Sequence, residues 1–136
     1  MSGGIAGFVK ALGGVCDTKP LSQDMWSLEG DAVRVKLSGK PDIIERGGGT
    51  YLQGKGLTRP VLVVRTDDDN YLAFTNRCTH IGHRKIDPVP GQKTLRCCSV
   101  GHSTFDYEGK RLSGPARDPL TRHEVMLDKG DLLIKL

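Results

Sequence analysis

Residues 96–106 read RCCSVGHSTFD, two adjacent cysteines shortly before a Gly-His pair, in a chain of 136 residues with only four cysteines and four histidines. Upstream, CTHIGH at 78–83 repeats the theme: Cys78 and His80 are two apart, and Cys98 and His102 four apart. Thiolate favours iron or zinc, imidazole is borderline, and two of each suit one tetrahedral ion or one two-iron cluster. A clustered, odd set of cysteines interspersed with histidines argues for metal over a disulfide framework. Cys16, alone before Pro20, reads as an ordinary thiol.

Working outward, the chain reads as short strands joined by turns. KTLRC at 93–97 leads into the cysteine pair, TFDY at 104–107 leads out, and EGKR turns into RLS. PVLVVR at 60–65 and YLAFT at 71–75, about the polar turn TDDDN, predict a hairpin that ends at Asn76, with Arg77 alone between it and CTH. HEVML and DLLIKL about DKGD predict a closing pair. From Asp31, DAVRVKL alternates Val33, Val35 and Leu37 with Arg34 and Lys36, as a half-buried strand does. RGGGT at 46–50 reads as a flexible turn followed by a polar stretch to Arg59. With 18 glycines and few aromatics, the composition agrees with an all-β fold. The length suits one domain, with an N-terminal extension or short helix over 1–30 and the β domain over 31–136. CTHIGH and CCSVGH both fall at strand ends, where loops present facing tips from which one site can be assembled.

CTHIG at 78–82, then Cys98 with 17 residues between it and His80, then STFD, GKRLSGPA and PL resemble the Rieske iron-sulfur domain. Its pattern is Cys-x-His, a spacer of similar length, and Cys-x-x-His-Gly-Ser, commonly followed by Phe/Tyr-Asp and a Gly-Pro loop. The resemblance covers about residues 60–136. It implies an antiparallel β-sandwich with a small cluster-binding part at about 76–117, formed by two loop tips, and one [2Fe-2S] cluster per subunit. It also implies that Cys78 and Cys98 hold the inner iron while His80 and His102 hold the outer one. Around them it implies Ser103 as a hydroxyl donor to a bridging sulfide, Gly82 as a point of close backbone approach, and Gly114 and Pro115 as a covering loop. Phe105 stands where quinol-oxidising members place a tyrosine. One departure is plain: residues 101–102 read Gly-His where the pattern has His-Gly. Counting back from Phe105 and Asp106 selects Cys98, whereas counting forward along the strand selects Cys97, and 17 or 16 residues then follow His80. Cys98 is the choice, because it keeps the shorter loop and leaves Ser103 in its family place. Cys97 remains the alternative.

No nucleophile with a base, carboxylate pair, phosphate loop or second metal motif accompanies these residues. The resemblance therefore implies a one-electron carrier or electron-transfer subunit rather than a self-contained enzyme, with a reductase, an oxygenase or a cytochrome as redox partner. The alternatives are the soluble head of a quinol-oxidising cytochrome complex and, from the residue types alone, a structural zinc site. The formal charge of +4 is spread along the chain, with no basic block interleaved with stacking aromatics, so nucleic-acid binding is not indicated. No apolar run reaches the roughly 18 residues of a span. The opening MSGGIAGFVKALGGVC lacks a signal peptide's charged start and cleavage site. It reads as a short helix around Ile5–Leu12, a frayed end, or the remainder of a removed anchor. The expectation is a soluble chain, cytoplasmic or the peripheral domain of a membrane assembly.

Overall fold

The computed structural model describes residues 18–37, 43–76, 86–89, 93–97, 103–113 and 119–136. A 3-10 turn, Gln23–Met25, precedes β1 (Trp26–Glu29), β2 (Ala32–Val35), β3 (Gly49–Leu52), β4 (Val61–Arg65), β5 (Tyr71–Thr75) and β6 (Ile86–Val89). The remaining strands are β7 (Thr94–Cys97), β8 (Thr104–Asp106), β9 (Arg111–Ser113), β10 (Arg122–Asp128) and β11 (Asp131–Lys135). They form a seven-stranded sheet in the order β1-β2-β11-β10-β5-β4-β3 and a four-stranded sheet β6-β7-β8-β9. All strand pairs are antiparallel. The all-β expectation is borne out.

Turn chemistry sets the registers. In DKGD, Lys129 and Gly130 both adopt positive φ, 52° and 82°, and Asp128 faces Asp131 across a two-residue loop. Positive φ at both central residues matches the twist of the flanking strands. In TDDDN the Thr66 Oγ1 accepts from the Asn70 N–H at 2.9 Å, and the Thr66 N–H donates to the Asn70 carbonyl at 2.8 Å. This closure aligns Arg65 with Tyr71.

The long strand β10 changes partner along its length: Arg122 and His123 pair with β5, and Glu124–Asp128 pair with β11. The sheet thereby folds over itself, and Trp26, Val33, Val35, Leu132 and Ile134 from one half meet Leu52, Val61, Val63 and Ala73 from the other. A second core joins Leu62, Val64, Leu72 and Phe74 of the large sheet to Ile86, Leu95, Cys97 and Phe105 of the small one, together with Leu120. Strand β4 thus has Val61 and Val63 in the first core and Leu62 and Val64 in the second. That is why PVLVVR is apolar throughout instead of alternating. Burying each such side chain contributes roughly 1.5–3 kcal/mol.

Three strands lie where the sequence reading has none. Strand β1 comes before Asp31, with Trp26 fully buried and paired to Val35. RGGGT is not simply a flexible turn, because its last glycine begins β3 opposite Val64. A Cβ on Gly49 would lie 2.7 Å from the Val63 carbonyl oxygen, so glycine there permits the close approach of two backbones. Gly49→Ala is expected to cost about 1–3 kcal/mol in urea unfolding. Gly48→Ala, whose Cβ meets nothing nearer than 3.4 Å, should stay within about 0.5 kcal/mol of the parent. The third strand, β6, hides behind Pro88, which is accommodated because β6 is an edge strand.

Candidate metal centre

The small sheet brings three chain segments to one end. Asn76 follows β5, and its Oδ1 accepts from the Ile86 N–H at 2.8 Å in a buried hydrogen bond, tying together the residues on either side of 77–85. Ile86 is in register with Cys97, and the Cys97 N–H donates to the Ser103 carbonyl at 2.8 Å, tying together the residues on either side of 98–102. Arg96 faces Thr104, and Thr104 faces Ser113, the residue before 114–118. The sequence places Cys78, His80 and Gly82 in the first segment, Cys98 and His102 in the second, and Gly114 and Pro115 in the third. These seven residues lie outside the described ones. Their described flanks stand side by side.

The pleat of strand β7 sets the direction of Cys97, its last residue. Thr94 and Arg96 are partly or fully exposed, whereas Leu95 and Cys97 are buried, with Cys97 among Ile86, Leu95 and Phe105 in the second core. A thiol turned into apolar side chains behaves as a small hydrophobe. Phe105, opposite Leu95, fills the same core, and Ser103 is fully buried at the base of the second segment. Tyr107 stands at the other end of β8, beyond the Thr94–Asp106 pair and on the order of 10 Å along the strand from Thr104. Burial, and then the charges of Asp67 and Asp68, push its phenol pKa up. Its hydroxyl thus belongs to the end of the sheet near the β4–β5 turn.

His123 is the one histidine among the described residues, and its Nε2 lies 3.1 Å from Thr75 Oγ1 on the strand that leads to Asn76. Burial lowers its pKa, opposed by a backbone hydrogen bond with Lys135. It serves the junction of β5, β10 and β11. Sequence reasoning missed the side-chain role of Asn76, although an amide residue at a strand end next to the CTH tip was a visible signal.

The Rieske [2Fe-2S] domain family model matches residues 19–124, and the chain belongs to that family. It is 31% identical over 81 residues to the 3-phenylpropionate/cinnamic acid dioxygenase ferredoxin subunit of Escherichia coli, an alignment covering 58% of this chain and 76% of that subunit. It is also 36% identical over 58 residues, 43% of its length, to the anthranilate 1,2-dioxygenase large subunit of Burkholderia cepacia, and spans 14% of that subunit. Among solved structures, one in the complex of reduced oxygenase and oxidized ferredoxin of carbazole 1,9a-dioxygenase superposes with TM-score 0.57 at 21% identity, covering 68% of this chain and 83% of the other. The cyanobacterial plasma membrane Rieske protein PetC3 from Synechocystis PCC 6803 gives 0.55 at 23% identity, covering 74% and 91%. Among the described residues no helix is long and apolar enough to cross a membrane.

The family's cofactor is a [2Fe-2S] cluster, and its work is one-electron transfer. The chain's donor set suits that group, since two thiolates and two imidazoles are what a Rieske centre requires. The tied bases of 77–85 and 98–102 lie next to each other, as one site assembled from both would need.

Proposed function

We propose that this chain is a ferredoxin-like carrier that holds its cluster on Cys78, His80, Cys98 and His102 and delivers single electrons to an oxygenase. The observation that carries the reading is the meeting of three segment bases at one end of the small sheet. Support for a carrier comes from the ferredoxin subunit, 76% of whose length the chain covers, against 14% of the oxygenase large subunit. Support for Cys98 over Cys97 comes from the burial of Cys97 in the apolar core.

When bound, the cluster supplies a one-electron couple whose potential is raised by neutral imidazoles in place of two thiolates. The chain's own residues do the rest. Cys78 and Cys98 would hold one iron as thiolates. His80 and His102 would hold the other through one ring nitrogen each, which would leave the second nitrogen to exchange a proton. Phe105 and Leu95 keep water from the sheet side. By the family resemblance, Gly114 and Pro115 would belong to the covering loop.

Iron and acid-labile sulfide analysis of the purified protein tests the reading. Two of each per chain, with a brown-red visible spectrum, are expected; zinc without sulfide would refute it. A second signature follows from the imidazoles. Oxidised iron withdraws charge and lowers the pKa of a bound imidazole more than reduced iron does. Above the oxidised-state value, reduction takes up a proton, so the midpoint potential falls as pH rises. A potential that is flat across the alkaline range would exclude ligation by both His80 and His102.

A further inference from the structure

Asn76 does more than tie the base of the first ligand segment. Its side chain is 2% exposed, and its Nδ2 is buried without a hydrogen-bond partner among the described residues. The amide is not free to turn over. The Ile86 N–H can only donate, so the atom 2.8 Å from it is the oxygen, and the NH2 group is fixed on the other side. The main chain of Asn76 is held as well, its N–H donating to the Pro60 carbonyl at 2.8 Å. A buried donor held in place, with no acceptor among the described residues, calls for a partner beyond them.

The position says which group. Asn76 stands two residues before Cys78, and its bonding partner Ile86 is in register with Cys97, next to Cys98. We propose that Asn76 Nδ2 donates a hydrogen bond to a sulfur of the cluster assembly and so raises its reduction potential. This rests on the ligand set proposed above. The reduced cluster carries more negative charge on its sulfurs, and an N–H held toward one of them stabilises that state more than the oxidised one. Because the side-chain amide is already oriented by Ile86 and the main chain is held by Pro60, no reorientation accompanies the change of charge.

The chain contains two asparagines, Asn70 and Asn76. Asn70 lies at the opposite end of β5, on the order of 20 Å along the strand, with its N–H bonded to Thr66 Oγ1. Asparagine labelled with ¹⁵N in the side chain therefore reports on Asn76 alone near the cluster. Pulsed EPR of the reduced, labelled holoprotein is expected to show a weak ¹⁵N coupling beside the strong ¹⁴N couplings of two histidine ligands. The histidine couplings in the same spectrum test the ligand set; the ¹⁵N coupling tests Asn76. Histidine couplings without ¹⁵N coupling would overturn the hydrogen bond and leave the site intact, and a spectrum without histidine couplings would overturn both. Asn76→Asp keeps the acceptor for Ile86 and loses the donor, so it should retain full iron content with a lower midpoint potential. An unchanged potential in Asn76→Asp would refute the proposal. A lowered potential without the ¹⁵N coupling in the parent would assign the shift to the new charge and refute it equally.

Discussion

Cys98→Ser should yield a colourless protein, whereas Cys97→Ser should keep its cluster and lose stability. Serine's hydroxyl does not ionise near neutral pH, so it would replace a thiolate poorly at the proposed site, and loss of one of the four proposed ligands would open the cluster to hydrolysis. Iron content and visible absorption should fall to background in Cys98→Ser. Cys97 is a different case, because its side chain is fully buried beside Ile86, Leu95 and Phe105. A hydroxyl placed there gives up the sulfur's apolar contacts and buries a more polar group, at a cost of about 1–3 kcal/mol. Urea unfolding of holo Cys97→Ser measures this loss, and its spectrum should match the parent. The reverse pattern, a coloured Cys98→Ser and a colourless Cys97→Ser, would move the ligand to Cys97 and require β7 to end one residue earlier.

Redox titration near neutral pH should place the midpoint well below the upper end of the Rieske range, which runs from roughly −150 to +300 mV. Two devices of the high-potential members are missing. The second cysteine that follows their Cys-Thr-His-x-Gly is His83 here, so it cannot bridge the two tips. Their tyrosine is Phe105, whose ring is packed in the second core opposite Leu95 and has no hydroxyl to offer a ligand sulfur. Tyr107 does not replace it, because it stands at the far end of β8 beside the charges of Asp67 and Asp68. Each missing donor leaves more negative charge on the sulfurs and disfavours the reduced state. In the proposed site Ser103, buried at the base of the second segment, would retain part of the effect. A midpoint at the top of the range would defeat this inference and favour quinol oxidation as the role.

The sequence was most legible where one local rule acted alone. YLAFT, RLS and DLLIK became β5, β9 and β11 because polar turns bracket them, and the apolar run of β4 was visible although its double burial was not. The strands missed were those with contradictory local signals. Gly49 weakens any strand reading until the Val63 carbonyl beside it is known, and Pro88 does so until β6 is seen to be an edge. At the site, spacing and residue type named the ligand candidates, and Asn76 was a visible signal for the first tie, but the Cys97–Ser103 bond that ties the second is backbone geometry with no residue signature. The choice between Cys97 and Cys98 was half legible. In TLRC, Leu95 inward and Arg96 outward already imply that Cys97 turns inward by the strand's two-residue period.

Strand β4 divides the two cores, and the division sets the order in which the protein comes apart. The small sheet packs on the large one through the apolar side chains of the second core, with Asp87 also bonded to the Thr18 N–H and Pro88 lying beside Gly49, whereas the fold of the large sheet about Trp26 is built on the first core. Opening the cluster end therefore removes cover from one face of β4 and leaves Val61 and Val63 packed on the other. Native-state deuterium uptake should then be stepwise: amides of β7 and β8 exchange through a partial opening, while those of Val63 and Val64 wait for loss of the whole fold. A fold divided this way can open at one end while its scaffold stays closed.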